Sequence, residues 1–381
     1  MRVVHIADTH LGYRAYNRVT SQGVNRREAD VFKAFQSALA QTVQLQPDLI
    51  LIAGDLFHQA RPSNLTIQWA FKEFVSLRAK TNAPVVIVGG NHDSPRSSDA
   101  GCILDLLTNI EGVHVAHTEH TSIQLPDLDL AVLCLCHRAL PLLSSIKIAP
   151  DRERKYNVLL VHGRVEGVEK GYDAHEIGAS AVTYADWDYV AYGHLHAFRE
   201  LAPNAYYSGS IEYAGGLTVW QQAAEKQEKG FIEFDLDAHE LVAFHQIQTR
   251  PVVDIHGVDA KGMTADQVNQ MIRNRVAGVT GGCTDKIVRL VVENAYRSLR
   301  TDLDYSFLKQ LRADALHFEL QLMPPPDATS TGARGDRAAR PLELEWAEFA
   351  GAFDIPAGVR RDRLVDLGQE YLVKQSPVEV L

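Results

Sequence analysis

Residues 85–93 read VVIVGGNHD, which is four β-branched apolar residues, two glycines, and then Asn91, His92 and Asp93. An unbroken apolar run predicts a strand that is covered on both faces, as in a parallel α/β sheet. The two glycines allow a tight turn and leave room for a ligand beside the backbone. Because ligands in such sheets bind at the carboxyl ends of the strands, we expect a ligand or metal site here. An ordinary Gly-Asn turn would explain the same residues.

Four more apolar runs end in side chains that can bind metal. Residues 2–7 are followed at once by Asp8-Thr9-His10, whose first and third side chains share one face. The other three runs are residues 49–53, 158–161 and 189–192, followed by Asp55 with His58, by His162, and by His194 with His196.

If these strands are parallel neighbours in one sheet, their ends meet at one edge. A set of seven nitrogen and oxygen ligands would then converge, which is too many for one ion and suits two ions that share a bridging carboxylate. The candidate ligands are Asp8, His10, Asp55, Asn91, His162, His194 and His196.

Composition narrows the class of protein. The 381 residues are 46% hydrophobic, enough for two or three packed domains. No apolar run approaches the roughly 20 residues of a membrane span, and the amino terminus enters a strand without a signal-peptide pattern. The four cysteines are too scattered for a disulfide framework. We therefore expect a cytoplasmic protein with no membrane association.

The net charge of −10 argues against nucleic acid, but the charge is uneven. Residues 1–100 hold 11 basic and 8 acidic side chains, whereas residues 101–249 hold 10 and 21. Within residues 11–27, arginines could hold a nucleic-acid backbone and tyrosines could stack on bases, although a solvated loop explains the composition equally well. The candidate DNA-binding residues are Tyr13, Arg14, Tyr16, Arg18, Arg26 and Arg27.

Helical periodicity, strand-end motifs and changes in composition divide the chain into four segments. Residues 28–45 and 64–80 have apolar residues at helical spacing, and residues 103–107 lie within another predicted helix, so the class is α/β. After about residue 249 the strands carry no ligand motif, and Pro, Gly, Ser and Arg follow Pro324. The predicted segments are a catalytic domain (1–248), an α+β accessory domain (249–326), a flexible linker (327–341) and two amphipathic helices (342–381) that dock a partner or fold back.

The motifs DTH, GDLFH, GNHD, HG and GHLH, each after an apolar strand, resemble the five motifs of the calcineurin-like metallophosphoesterases. The segments HIADTHLGY and GDLFHQARPS resemble the SbcD type of DNA double-strand-break repair nuclease. The resemblance implies a metallophosphoesterase β-sandwich with flanking helices, a smaller α+β DNA-capping domain and a C-terminal helical docking element. It further implies a homodimer and an SMC-like ATPase partner of the SbcC type, bound by the C-terminal helices.

The same resemblance implies a role for each site residue. Asp8, His10, Asp55 and His196 would hold one ion, and Asp55 would bridge to a second ion held also by Asn91, His162 and His194. Manganese is the family's usual ion, while iron and zinc stay open. His92 is the candidate general acid or phosphate contact, His58 would steady the phosphate although many bacterial relatives carry Asp there, and Asp93 would orient a site histidine.

The activity that the resemblance implies is a two-metal, Mn²⁺-dependent DNA nuclease. It would act as a 3′-to-5′ exonuclease on duplex ends and as an endonuclease on single-stranded or hairpin DNA. One alternative keeps the site but takes a non-DNA phosphoester, which the extra domain and helical tail disfavour. Another is a non-enzymatic scaffold, which the filled ligand positions disfavour.

Overall fold

The computed structural model of the protein describes residues 1–95, 101–168, 176–214, 219–325, 346–347, 349–350 and 360–375. The predicted linker (327–341) and half of the predicted docking segment (342–381) lie outside these residues. Contacts divide the chain into two compact units, the first made of residues 1–258, 269–291 and 304–321. The second unit is made of residues 259–268, 292–303 and 322–381. The predicted domain boundaries at residues 248 and 326 remain predictions.

The strands that the structure describes match every apolar run chosen from the sequence and add several more. They are β1 (Arg2–Ile6), β2 (Leu49–Ile52), β3 (Val85–Val88), β4 (Val113–Ala116), β5 (Thr121–Leu125), β6 (Leu130–Leu135), β7 (Tyr156–His162), β8 (Tyr189–Gly193), β9 (Arg199–Ala202), β10 (Ala205–Tyr207), β11 (Gly230–Asp235), β12 (Glu240–Gln246), β13 (Val252–Asp259), β14 (Ile287–Glu293) and β15 (His317–Leu322).

The helices confirm the helical periods read from the sequence. Asn25 begins the first helix by accepting hydrogen bonds from the amides of Arg27 and Glu28. Residues 103–109, within a predicted helix, form a 3₁₀ helix. The α-helices of the described residues are α1 (Arg26–Leu45), α2 (Asn64–Arg78), α3 (Val219–Ala224), α4 (Ala265–Ala277), α5 (Leu299–Asp302), α6 (Tyr305–Asp314) and α7 (Arg361–Gln375).

Two mixed sheets form a sandwich, as the resemblance implied. The first has the order β12-β11-β1-β2-β3-β4, and β1 to β4 are parallel to one another. The second has the order β5-β6-β7-β8-β10-β9, and β6, β7 and β8 are parallel. The expectation that all five ligand-bearing strands share one sheet is therefore wrong, because β7 and β8 belong to the second.

Alternation along the central strands explains how both faces of the first sheet are buried. Val3 and Leu51 point into a core shared with β6 to β8, whereas Val4 and Ile50 point into a core shared with α1 and α2. Successive side chains of a strand face opposite sides, so a continuously apolar strand packs against a sheet on one face and helices on the other. This double burial fixes the strands, and their loops carry the site.

A smaller sheet has the order β13-β14-β15. Near it, Ile287 and Leu316 form a buried apolar cluster with Trp220, and Tyr16 packs against that cluster. Among the described residues, no helix is long and apolar enough to cross a membrane. A cytoplasmic location stays a prediction.

Candidate metal centre

The site lies where the carboxyl ends of β1, β2 and β3 meet those of β7 and β8. Two loops at this edge are joined by backbone hydrogen bonds, in which His10 donates to the carbonyl of Asp55 at 2.9 Å and Leu11 donates to that of Leu56 at 2.8 Å. The loop after β1 and the loop after β2 therefore hold one another. Their carboxylates are fixed before any ion binds.

Three of the four ligands assigned to the first ion are brought together. Asp8, His10 and His196 each offer a ligand atom, and these atoms lie within 4.8 Å of one another. The Nε2 atoms of His10 and His196 face each other at 3.0 Å, and the carboxylate of Asp8 accepts from the amide of His194 at 3.0 and 3.1 Å. The fourth ligand, Asp55, has its Oδ2 atom 3.9 Å from Nε2 of His10.

The ligands assigned to the second ion also converge on Asp55. His162 Nδ1 donates to the carbonyl of Ala53 at 2.8 Å, so Nε2 is left to face the site. That Nε2 atom lies 3.5 Å from Oδ2 of Asp55 and 3.0 Å from Oδ1 of Asn91. His194 Nδ1 lies 3.2 Å from the same amide oxygen. The structure thus brings together all seven predicted ligands, in two sets.

The chemistry of this donor set fits divalent cations. Burial raises the pKa of Asp8 well above its usual range and that of Asp55 to about 6, with the other carboxylate adding to the rise at Asp8. Burial also lowers the pKa of His10 and of His196 well below their usual range, so both imidazoles are neutral. Nδ1 of His196 is buried and has no hydrogen-bond partner in the part of the chain that the structure describes. Neutral imidazoles and buried carboxylates are suited to a cation that supplies the missing positive charge.

The backbone is unusual at four of the predicted ligands. Asp8, His10 and Asp55 have φ angles of 50°, 49° and 48°, and His194 has a φ of 104°. L-residues seldom adopt positive φ, at a cost of the order of 1–3 kcal/mol each, and such residues cluster at functional sites. The strain places ligand side chains on a common edge.

Two glycines are required by close approach. A Cβ at Gly90 would lie 2.1 Å from Oδ1 of Asp55, and one at Gly54, where φ is 83°, would lie 2.2 Å from Nδ1 of His162. Both positions are therefore filled by the site itself, and a methyl group would displace a ligand. Of the two glycines after β3, Gly90 thus makes room for Asp55, whereas a Cβ at Gly89 would meet His117, which is outside the ligand sets.

His92 and His58 lie beside the first ligand set, as expected. His92 Nδ1 donates to the carbonyl of His58 at 2.7 Å, and its backbone amide donates to Oδ1 of Asp55 at 2.8 Å. The ring centroids of His92 and His10 are 4.9 Å apart, and those of His58 and His10 are 5.4 Å apart. Burial, and then the charge of His92, lower the pKa of His58 to about 4.

Asp93 supports the site differently from the prediction. Its carboxylate accepts from the amides of Phe57 at 2.8 Å, Gly90 at 3.0 Å and Leu56 at 3.2 Å. These partners are backbone groups, so Asp93 shapes the turn after Asp55 and does not orient an imidazole. Two of these amides belong to the turn after β2 and the third to the loop after β3, so the carboxylate of Asp93 joins the two loops.

Most of the candidate DNA-binding side chains in residues 11–27 contact other parts of the protein. Arg27 is buried between Asp30 and Glu212, so a direct DNA contact by Arg27 is ruled out. Arg26 pairs with Asp285 at 2.8 Å. In the same loop, Tyr16 stacks on His317, and Tyr13 packs edge-on against His58. Arg18 donates to backbone carbonyls of residues 312–315. Arg14 pairs with Glu28, but 58% of its side chain is exposed.

Two further residues at the site were missed by sequence reasoning. His137 directly follows β6 and Cys136, and its ring centroid lies 6.3 Å from that of His162 and 6.4 Å from that of His194. The signal was present, because CHR follows an apolar run as the other motifs do. Lys229 is buried and donates to the carbonyl of His196 at 2.8 Å, but no motif marks it.

Comparison with known proteins bears out the resemblance. The DNA double-strand break repair protein Mre11 of Methanococcus maripaludis is 27% identical over 62% of this chain and 63% of that protein, so the alignment spans just under two thirds of this relative. Mre11 of Methanopyrus kandleri is 24% identical over 99% of this chain and 87% of that protein. The SbcD subunit of the nuclease SbcCD from Staphylococcus epidermidis is 22% identical over 72% of this chain and 76% of that protein.

The family model described as calcineurin-like phosphoesterase matches residues 1–198. That range is more than half of the 381 residues and contains every predicted ligand. The sandwich, the strand-end ligands and this match agree, and the chain belongs to the calcineurin-like phosphoesterase family.

Proposed function

We propose that the protein is a two-metal DNA nuclease that hydrolyses phosphodiester bonds in double-strand-break repair. The observation that carries the proposal is the convergence of seven nitrogen and oxygen ligands in two sets around Asp55. Relatives named for DNA double-strand break repair and as part of a nuclease favour DNA as the substrate. We further propose Mn²⁺ as the ion, with 3′-to-5′ exonuclease activity on duplex ends and endonuclease activity on single-stranded or hairpin DNA.

Each ion has a proposed set of ligands. Asp8, His10, Asp55 and His196 would hold one ion, and Asp55, Asn91, His162 and His194 would hold the other. When bound, two such cations lower the pKa of a water molecule and offset the negative charge that develops on the phosphate.

The protein's own groups prepare the site for in-line attack. The hydrogen bond from His162 Nδ1 to Ala53 fixes the tautomer, so Nε2 keeps its lone pair for an ion. The hydrogen bond from His92 Nδ1 to the carbonyl of His58 leaves Nε2 of His92 to contact the substrate. From there it can donate a proton to the leaving oxygen or contact the phosphate. We propose that His58 steadies the phosphate from the adjacent position.

Cleavage of labelled duplex DNA by the purified protein with Mn²⁺ tests the proposal. We expect cleavage by the wild type and a large loss of rate in His92→Ala, with unchanged metal content. His120→Ala changes an exposed histidine outside the site and serves as the matched control. Absence of cleavage, or equal cleavage by His92→Ala, would contradict the proposal. Faster turnover of p-nitrophenyl phosphate than of bis(p-nitrophenyl) phosphate or DNA would favour the non-DNA alternative.

We propose an SMC-like ATPase as the partner, bound by the C-terminal helices. Helix α7 has an exposed apolar strip, with Leu367 42% and Tyr371 64% exposed, and Trp346 donates to the carbonyl of Val365 at 3.1 Å. Such a strip suits a helical partner. The relative in Staphylococcus epidermidis is named as one component of a complex, which supports a partner. Co-purification of a large ATPase that is lost on deletion of residues 342–381 would support this assignment, and its retention would contradict it.

We propose a homodimer through α2 and the 3₁₀ helix at residues 103–109. Val75 in α2 is 45% exposed, and Leu106 in the 3₁₀ helix is 38% exposed. Burying two such side chains in a symmetric contact removes apolar area from water. Light scattering should give a dimer mass that falls in Val75→Asp, and a wild-type monomer at micromolar concentration would contradict it.

A further inference from the structure

Lys229 is a buried lysine beside the candidate metal centre. It lies directly before β11 and is 2% exposed. Its Nζ atom lies 2.7 Å from Oε1 of Gln222, 2.8 Å from the carbonyl of His196 and 3.0 Å from Oγ of Ser210. An ammonium group has three protons to donate and no acceptor, so these three oxygens satisfy it, and Oε1 of Gln227 lies slightly farther away at 3.3 Å. Lysine is almost never fully buried unless it is paired, which makes this arrangement a feature to be explained.

The hydrogen bonds of Lys229 reach two strand ends that carry ligands. One goes directly to the backbone of His196. Another goes to Ser210, whose amide also donates to the carbonyl of His196 at 3.2 Å. Ser210 in turn forms a parallel bridge with Ala7, the residue before Asp8. A single ammonium group thus links the backbone of His196 to the segment that presents Asp8.

Lys229 acts on this set through its hydrogen bonds, since burial lowers its pKa to about 7 against the nearby carboxylates of Glu212, Asp8 and Glu225, which act to raise it. Arg27 already pairs with Glu212 at 3.2 Å, so Glu212 has its own cation. An apolar side chain of about the same length as lysine would fill the space but would supply none of these hydrogen bonds.

We propose that Lys229 is a positioning residue for the ligands of the first ion, acting through the backbone of His196 and through Ser210. It holds His196 and Asp8 in register with His10, so that the three ligand atoms are in place before an ion binds. Of the ligands of the second ion, His162 is held separately by the carbonyl of Ala53, whereas His194 reaches the first set through its amide, which donates to Asp8. This inference rests on the two-metal site proposed above.

Titration of the full-length protein with Mn²⁺, followed by calorimetry and electron paramagnetic resonance, separates the two ions without DNA. We expect Lys229→Met to weaken one ion about 10–100-fold, the range found when groups that support metal ligands are removed, and to weaken the other less. Lys229→Arg should restore part of the affinity. Thr42→Val, which removes the buried hydrogen bond from Oγ1 to the carbonyl of Ala38 in α1, is the control and should leave both ions unchanged.

A coupling test distinguishes positioning from general support of the fold. In the background of His196→Ala, which itself loses one ion, Lys229→Met should cause no further loss, because both changes act on the same ion. Loss of a buried cation can also prevent folding, so Ser210→Ala provides a milder variant of the same linkage. It should weaken the same ion several-fold while circular dichroism stays that of the wild type.

The outcomes are separable. If folded Lys229→Met and Ser210→Ala bind two Mn²⁺ ions with wild-type affinity, the positioning role is overturned and the nuclease proposal stands. Equal weakening of both ions also overturns it, since a structural role would affect the whole site. If Lys229→Met does not fold, the Ser210→Ala result decides in the same way. A wild type that binds fewer than two Mn²⁺ ions would remove the two-metal site and this inference together.

Discussion

Substitution of Gly90 by alanine should disable the site by moving Asp55. A Cβ at this position would lie 2.1 Å from Oδ1, 2.4 Å from the backbone nitrogen and 2.8 Å from Cγ of Asp55. Carbon atoms seldom approach other heavy atoms closer than about 3.4 Å in packed proteins, so the carboxylate or the turn must shift by about 1 Å. The backbone nitrogen cannot rotate away, which excludes a simple change of side-chain rotamer as relief.

The size of the effect follows from that displacement. A misplacement of about 1 Å in a catalytic group can cost about 100-fold in rate, equivalent to about 2.7 kcal/mol of activation free energy. Overpacking a well-packed position costs about 1–3 kcal/mol of stability. We therefore expect Gly90→Ala to fold at ambient temperature, to bind the two ions more weakly, and to cleave DNA about 100-fold more slowly than the wild type.

Initial rates on labelled duplex DNA at saturating Mn²⁺, with urea unfolding of the same samples, measure both quantities. Gly178→Ala is the matched control, because a Cβ there meets no atom of the described residues within 4 Å. That control should keep the wild-type rate and lie within about 0.5 kcal/mol in stability. Wild-type cleavage and metal content in folded Gly90→Ala would refute the reasoning, since Asp55 would then tolerate displacement and could not be the bridging ligand.

Three other predictions concern charge and metal. Burial lowers the pKa of His5 to about 3, so below about pH 6.5 the unfolded chain binds a proton at His5 that the folded protein does not bind. The free energy of unfolding should therefore fall from pH 6.5 towards pH 3 by up to about 1.4 kcal/mol per pH unit. In urea unfolding, the pH dependence of this free energy should be flatter in His5→Leu but not in His120→Leu. Arg27→Ala should cost about 3–5 kcal/mol in urea unfolding because it leaves the buried carboxylate of Glu212 without its paired cation, although Asp30 keeps its ion pair with Arg250. The exposed Arg14→Ala should cost about 1 kcal/mol or less, and it should weaken DNA binding and reduce the salt dependence of binding by about one charge. Equal DNA binding by Arg14→Ala would remove that residue from the interface. Chelation of the ions should lower the free energy of unfolding by about 2.7 kcal/mol per ion at a metal concentration 100-fold above Kd, and a melting temperature insensitive to chelator would contradict a bound metal.

The positions of the candidate ligands could be predicted from the sequence because each lies at or just after the end of its strand. An apolar run gives the strand, so Asp8, His162 and His194 are placed at its carboxyl end by local chain geometry alone. The helices α1 and α2 were predictable for the same reason, since apolar spacing and a capping residue are local. Where the prediction needed only neighbouring residues, the structure confirms it.

Features that depend on distant partners could not be read in the same way. Strands in different sheets look alike, so nothing near residues 158–161 showed that β7 pairs with β6 and not with β3. Edge strands such as β12, whose side chains are mostly half-exposed, lack the apolar signal that marked central strands. The burial of Arg27 depends on Glu212, which lies on a different part of the chain, so an exposed basic loop was the natural expectation.

The candidate site draws on both sheets, so neither ligand set is complete until β8 has been made. Asp8, His10, Asp55 and Asn91 follow β1, β2 and β3, whereas His162 ends β7 and both His194 and His196 follow β8. A nascent chain that stops short of β8 therefore holds part of each ligand set and completes neither. The two candidate ion sites can form only after residue 196 has been added to the growing chain.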